Sequence, residues 1–373
     1  MLEKGNVPES GMNYAPTGPA MPVCAPGEFR FAVVGLDHGH VYGMTAGLEG
    51  AGGSVAAVYD PDPEKVAAYR SKHPGAQSFD SLDELLSVTD IALVCCAAVP
   101  DQRVEYGVKV LESGKHFLAD KPPFTNRSQL ERAREAVRRY NQIWAVYYSE
   151  RLHNEAAVHA GTLIRDGVIG RVMNVVGLGP HRLNAGTRPP WFFERSRYGG
   201  ILTDLASHQI EQFLSFSGAT DASIVHSAVA NFNHPDYPEL EDFGEVHLLT
   251  ESGITGYFRV DWFTPDGLGI WGDGRVTILG TDGYIELRKY IDVAGDRTGD
   301  HVFLVDQHGE HHLRVNGTVG FPYFGHLILD CLNNTREAMG QDYAFRVAEL
   351  SLIAQERARV LTGSVSSREA RNE

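Results

Sequence analysis

The chain has 373 residues, 43% of them apolar, and a formal net charge of −15. That length exceeds what one core usually serves, so two domains are expected. The acidic balance excludes a nucleic-acid-backbone or anionic-membrane binder, both of which rest on clustered Lys and Arg, and no run approaches the roughly 18 apolar residues of a membrane span.

The start, Met1-Leu2-Glu3-Lys4-Gly5, lacks the basic-then-apolar pattern of a signal peptide, so a soluble, cytoplasmic chain is expected. Residues 1–27 hold several Pro and Gly without periodicity and read as a flexible arm. Cys24, Cys95, Cys96 and Cys331 show no disulfide framework; Cys95 and Cys96 sit together in an apolar run and read as reduced core residues.

Residues 28–150 alternate short β-rich runs with helical patterns. Strands are predicted over 29–36, 54–59, 90–97, 116–119 and 143–148, and helices over 63–73, 101–113 and 126–141. The strands are continuously apolar, as in a sheet buried on both faces, and the alternation predicts an α/β, doubly wound parallel sheet of the Rossmann type. Such sheets bind ligands at the carboxyl ends of their strands.

The first strand runs into Gly35-Leu36-Asp37-His38-Gly39-His40, where a dinucleotide fold carries its glycine fingerprint. Asp37 and His40 occupy the second and third glycine positions, with Gly39 displaced by one. Asp60 closes the second strand, where an acid accepts hydrogen bonds from an adenine ribose and repels a 2′-phosphate. NAD is therefore favoured over NADP. His38 and His40 read as donors to pyrophosphate or nicotinamide, as structural loop histidines, or as two of the ligands a metal would need.

Residues 151–373 read as an α+β domain for substrate binding and oligomerisation. A helix over 154–166 and a strand over 172–177 precede the stretch Tyr198-Gly199-Gly200-Ile201-Leu202-Thr203-Asp204-Leu205-Ala206-Ser207-His208. There the spacing sets a carboxylate and an imidazole on one face of a helix, away from the face that Leu202, Leu205 and Ile210 bury. Two preceding glycines let the backbone crowd a ligand. Strands over 223–231, 243–250, 254–263, 276–279, 284–287 and 301–305, joined by tight turns, predict a large, mainly antiparallel sheet. Helices over 323–332 and 343–361 close the chain, with the option of packing back on the first domain.

At the fifth strand stands Gly114-Lys115-His116-Phe117-Leu118-Ala119-Asp120-Lys121-Pro122. With the glycine loop and the Gly199 to His208 stretch, it resembles the Gfo/Idh/MocA oxidoreductases, over residues 29–362. In that family a Glu-Lys-Pro triplet closes the fifth strand, matched here by Asp120-Lys121-Pro122 with the shorter acid. The resemblance places the family lysine on Lys121, its catalytic aspartate on Asp204 and its histidine on His208. It departs at Asp37, at His40, and at Arg103, which replaces a usual histidine.

What the resemblance implies is an NAD-dependent oxidoreductase that moves hydride to or from a secondary hydroxyl of a sugar, cyclitol or sugar derivative. His208 would serve as base, Asp204 as its partner, and Lys121 would stabilise charge on the oxygen; the bland alternative for Lys121 is a structural ion pair. The loop before the Asp204 helix supplies His181, Arg182, Arg188 and Trp191 as substrate-pocket candidates or loop anchors, and Tyr148 and Arg151 stand where one domain hands over to the other. Two further readings stay open: a glycosidase that oxidises, eliminates and re-reduces with tightly held NAD, and a noncatalytic nucleotide or sugar sensor. A homodimer or homotetramer is expected, as in many relatives.

Overall fold

The computed structural model describes residues 11–362. The first domain contains β1 (Arg30–Val34), α1 (His40–Gly50), β2 (Ser54–Tyr59), α2 (Pro63–Lys72), β3 (Gln77–Ser78), α3 (Leu82–Ser87), β4 (Leu93–Cys96), α4 (Arg103–Glu112), β5 (His116–Asp120), α5 (Arg127–Tyr140) and β6 (Trp144–Tyr147). Its six strands lie in the order β3-β2-β1-β4-β5-β6, every pair parallel. The order reverses between β1 and β4, and the crevice at the carboxyl ends of those strands is where such sheets take ligands.

All four residues of β4 and all five of β5 are buried, which explains why the strands carry no apolar-polar alternation. Cys95 and Cys96 are free thiols in that core, and burial pushes Cys96 up to about 12. Helix starts follow capping chemistry: the Asp62, Ser81 and Asn126 side chains accept backbone N–H bonds at the heads of α2, α3 and α5.

The second domain runs through α6 (Ser149–Leu152), α7 (Glu155–Arg165), β7 (Val172–Pro180), α8 (Arg195–Tyr198), α9 (Ile201–Asp204) and α10 (Ala206–Ser217). It continues with β8 (Ser223–Ala230), β9 (Phe243–Leu249), β10 (Thr255–Asp261), β11 (Arg275–Gly280), β12 (Tyr284–Arg288), β13 (His301–Asp306) and β14 (Gly309–Arg314). Two helices, α11 (Pro322–Asn333) and α12 (Gln341–Arg357), and the short β15 (Arg359–Val360) close it. The nine strands form one sheet in the order β14-β13-β12-β11-β7-β10-β9-β8-β15. It is antiparallel except where β10 meets β7 and β15 meets β8.

Besides the short β3, α3, α6, α8 and β15, which carry no prediction, and a β7 that runs on to Pro180, three elements differ from the sequence reading. The polar run Gly309–Arg314 is a strand at the sheet edge, where one face and one side meet water and no apolar pattern is required. The closing helix stops at Arg357, because Ala358 turns extended (φ −60°, ψ 129°) and the chain then pairs with β8. The helix expected to carry both Asp204 and His208 is broken at Leu205, between α9 and α10.

Helix α12 lies against α9 and α10 and also against α5 and β6 of the first domain. Arg134 to Glu349, 3.0 Å, ties that contact. Residues 1–10 of the expected arm lie outside the described residues. Within residues 11–27, the Met21 and Val23 N–H groups donate to the Gly50 and Ala51 carbonyls at 2.9 and 3.0 Å. No helix among the described residues is long and apolar enough to cross a membrane.

Candidate active site

The first component is the loop after β1. Gly35 adopts φ +61°, and a Cβ there would stand 2.5 Å from the Ala98 Cβ, so only glycine lets the β1 and β4 loops close together. At the tip of β2 the Asp60 carboxylate accepts N–H bonds from Leu36, 2.6 Å, and Asp62, 2.8 Å. Asp37 accepts from the Lys65 ammonium, 2.6 Å, and from the Val99 N–H, 3.2 Å. The Gly35 cradle and the buried Asp60 carboxylate fit the ribose and phosphate end of a dinucleotide.

The second component surrounds Asp120 at the end of β5. Its Oδ1 meets His40 Nδ1 at 2.8 Å and accepts the Lys121 N–H at 2.8 Å. Its Oδ2 accepts from Arg103 Nη2 at 3.0 Å and lies 3.2 Å from His38 Nδ1. Burial opposes charge on this carboxylate, but His40, Arg103 and His38 outweigh it and hold the group well below the usual carboxylate range. His38 is kept neutral, chiefly by burial. The ligand atoms of His38, His40 and Asp120 gather within 4.8 Å of one another, yet Arg103 and the Lys121 N–H already take both carboxylate oxygens, so a cation would displace a satisfied network.

Arg103, fully buried, also donates to the Ala98 and Pro122 carbonyls at 2.8 and 2.9 Å. The residue that departs from the family pattern thus fastens the Lys121 turn, whose Lys121–Pro122 peptide is cis. Nothing in composition or spacing marks it: an arginine at a helix start reads as solvated.

The third component faces it from the second domain. Lys121 Nζ donates to Asp204 Oδ1 at 2.7 Å and to the Asp204 carbonyl at 3.3 Å. His208, in the first turn of α10, has its ring centroid 6.4 Å from that of His40. Asp204 and His208 are both buried, so the pair faces the interdomain crevice rather than open solvent. Burial, opposed by Glu150 and assisted by the Lys121 charge, keeps His208 neutral well below its ordinary value.

Glu150 stands behind His208. It forms a buried ion pair with Lys289, accepts from Gln209 Nε2 at 2.9 Å, and lies 3.9 Å from His181 Nε2. Burial opposes its charge, but Lys289, His208 and His181 hold it well below the carboxylate range. Burial lowers His181 to about 4. Gly200, at φ +92°, has no room for a Cβ, which would fall 2.3 Å from Gln355 Cδ. The glycines before α9 therefore admit protein rather than ligand: Gln355 Oε1 accepts the Leu202 N–H at 2.8 Å.

A family model described as the oxidoreductase family, NAD-binding Rossmann fold, matches residues 29–148, and the Gfo/Idh/MocA C-terminal domain matches residues 158–286. The chain belongs to the Gfo/Idh/MocA family. A solved structure from Erwinia carotovora atroseptica, described only as an oxidoreductase, is 44% identical with a TM-score of 0.86, covering 90% of this chain and all of that one. A levoglucosan dehydrogenase in complex with NADH and levoglucosan shares the fold at TM-score 0.72 and 18% identity, over 88% of this chain and 97% of that one. The 1,5-anhydro-D-fructose reductase of Ensifer adhaerens is 28% identical over 48% of this chain and 55% of its own length. The chain thus spans only about half of that curated relative, although it spans 73% of an uncharacterized oxidoreductase from Synechocystis.

Of the residues expected to contact substrate, His181 alone lines the chamber beside His208. Arg151 points elsewhere: its Nε donates to Glu211 at 2.8 Å, and it lines a separate cleft with Tyr323 and His326. The Tyr148 hydroxyl donates to the Ala344 carbonyl of α12 at 3.2 Å. Arg182 is a loop anchor, with Nη2 on the Pro265, Leu268 and Ile270 carbonyls. Trp191 is buried against Phe192. Arg188 donates to the Leu183 and Arg182 carbonyls, lies over Phe192 and Trp262, and is lowered by burial to about 10 despite the Asp204 charge.

Sequence reading missed Glu150, Lys289 and Trp271. Glu150 is the neighbour of Arg151 on a four-residue helix. The handover position was visible, but which of two adjacent side chains turns inward was not.

Proposed function

We propose that the protein is an NAD-dependent oxidoreductase acting on a secondary hydroxyl of a sugar, cyclitol or sugar derivative. The observation that carries this reading is the Lys121 to Asp204 contact of 2.7 Å across the domain crevice, beside an imidazole held neutral by burial. NAD, bound through the Gly35 loop and Asp60, supplies a hydride acceptor. The Asp60 carboxylate disfavours a 2′-phosphate and so favours NAD over NADP.

The chain's own residues then handle proton and oxygen. Lys121 donates to the reacting oxygen and stabilises the negative charge that develops there. Asp204 fixes the direction of the Lys121 ammonium. His208, neutral near pH 7, takes the hydroxyl proton, and the resulting imidazolium faces the Glu150 carboxylate. Asp120, with His40 and Arg103, sets the Lys121 turn and touches no reacting atom.

The test is absorbance at 340 nm with purified protein, NAD or NADP, and a panel including levoglucosan, D-xylose, myo-inositol and aryl glycosides. Native mass spectrometry of the same sample reads retained cofactor. Net NADH formation from a free sugar supports the dehydrogenase. Aglycone release with retained NAD and no net NADH replaces it by the eliminating glycosidase, and turnover of no panel member removes both in favour of a sensor.

A further inference from the structure

The described N-terminal residues precede the matched family domain, which begins at residue 29, yet they close its catalytic crevice. A Cβ built on Gly11 would stand 3.1 Å from Trp271 Cε3 and 3.2 Å from His181 Cδ2. The Tyr14 ring lies 5.8 Å from Trp271 and 5.3 Å from Tyr290. Pro16 and His153 line the same chamber wall. Beyond them Met21 and Val23 anchor the segment to the end of α1.

Beneath this strap is a chamber of about 20 Å³, lined by residues that include His208, Glu150, His181 and Trp271. That space suits roughly one water, whereas a small-molecule pocket takes about 300 Å³ or more. Three side-chain atoms on its walls have no hydrogen-bond partner: Glu150 Oε1, His208 Nδ1 and Trp271 Nε1. Their residues are 4%, 2% and 3% exposed. Buried polar atoms are ordinarily paired, and three orphans around one chamber mark a place built for a polar ligand. Glu150 Oε1 accepts, Trp271 Nε1 only donates, and Trp271, Tyr290 and Tyr14 add aromatic faces. Lys289, behind Glu150, is already engaged by Glu150 and by Gln212 Oε1 at 3.3 Å, and among the described residues no Lys or Arg side chain lines the chamber to receive a phosphate.

We propose that Glu150 and Trp271 form a hydroxyl-recognition subsite beside His208 for a neutral, unphosphorylated sugar or cyclitol, and that the strap of residues 11–16 lifts to admit the ring and recloses with Tyr14 against it. The inference rests on the oxidoreductase reading and names the substrate class of that site. The anchors at Met21 and Val23 keep the segment tied to the end of α1 when residues 11–16 lift.

Three variants of the full protein test it: Trp271→Phe, Glu150→Gln, and a chain lacking residues 1–16. With whichever panel sugar turns over, each variant is expected to raise KM about tenfold or more, as loss of a buried hydrogen bond or of the covering wall does, while the NADH Kd stays within twofold. D-glucose 6-phosphate and myo-inositol phosphate should be turned over at least about tenfold less efficiently than their unphosphorylated forms. Acrylamide quenching of tryptophan should rise in the shortened chain, and the rise should vanish when Trp271→Phe is added. Because Glu150 is paired with buried Lys289, Trp271→Phe is the deciding variant if Glu150→Gln does not fold. Wild-type KM in both Trp271→Phe and the shortened chain, or equal turnover of phosphorylated sugars, overturns the subsite while leaving the oxidoreductase standing. Absence of turnover on every panel sugar removes the oxidoreductase reading, and the subsite with it.

Discussion

Two buried carboxylates each sit between two histidines, one in each domain, and they are built to opposite ends. Around Asp120, His38, His40, Arg103 and the Lys121 N–H take both oxygens. Around Glu150, Lys289 and Gln209 take Oε2, while Oε1 and His208 Nδ1 have no hydrogen-bond partner. A fully satisfied network holds one shape; a half-satisfied one has room for an incoming group. The first cluster is thus scaffold for the Lys121 turn, and the second, on the proposed reading, is the one that meets the substrate.

The contrast is tested most severely at His208. His208→Gln is expected to lower kcat about 10²- to 10⁴-fold, the usual worth of a general base, with the thermal midpoint little changed because no partner is lost at Nδ1. Steady-state kinetics beside a melting curve measures both, and retained kcat would move the base elsewhere. In the other cluster the order should invert. Arg103→Leu strips a buried carboxylate of its guanidinium and is expected to cost about 3–5 kcal/mol of stability, read from urea unfolding. If Arg103→Leu instead left stability intact, the Asp120 network would not be the scaffold described.

The two clusters share a pH signature. His38 and His208 are held well below their ordinary values, His181 at about 4 and His153 at about 3, all chiefly by burial. A histidine that stays neutral when folded takes up a proton on unfolding, so its contribution is present above its unfolded pKa and is lost as pH falls below about 6.5. Each such group gives up to about 1.4 kcal/mol per pH unit in that window. Asp120 and Glu150, depressed when folded, add a second loss only below about pH 4. Urea midpoints should therefore be flat from pH 8 to 7 and fall steadily between pH 6 and 5; a flat profile through pH 5 would contradict the burial of these imidazoles.

The sequence made the architecture visible because continuous apolar strands and tight turns leave few alternatives. Residues 90–97 and 116–119 read as buried parallel strands, and the Lys121, Asp204 and His208 constellation was what the family resemblance implied. What stayed hidden depended on which way a side chain turns or on contacts distant in sequence. Arg103 meets Asp120 only after α4 and β5 pack, and Glu150 meets Lys289 across 139 residues. Residues 11–27 looked structureless because their partners are distant in sequence, the Gly50 and Ala51 carbonyls of the first domain and the Trp271 and Tyr290 rings of the second, which no local periodicity records.

Tyr148 gives the smallest expected effect and the finest test of the division between scaffold and chemistry. Its ring centroid lies 6.5 Å from that of His208, close enough for a substrate-binding tyrosine by sequence position. Its hydroxyl, however, donates to the Ala344 carbonyl, and burial pushes its pKa well above the ordinary value, so it is engaged in holding α12 to the first domain. Tyr148→Phe removes one neutral hydrogen bond and should cost about 1 kcal/mol of stability, leaving KM and kcat within twofold. A tenfold rise in KM with unchanged stability would return Tyr148 to the substrate site and shift the boundary between the two halves of the crevice toward the first domain.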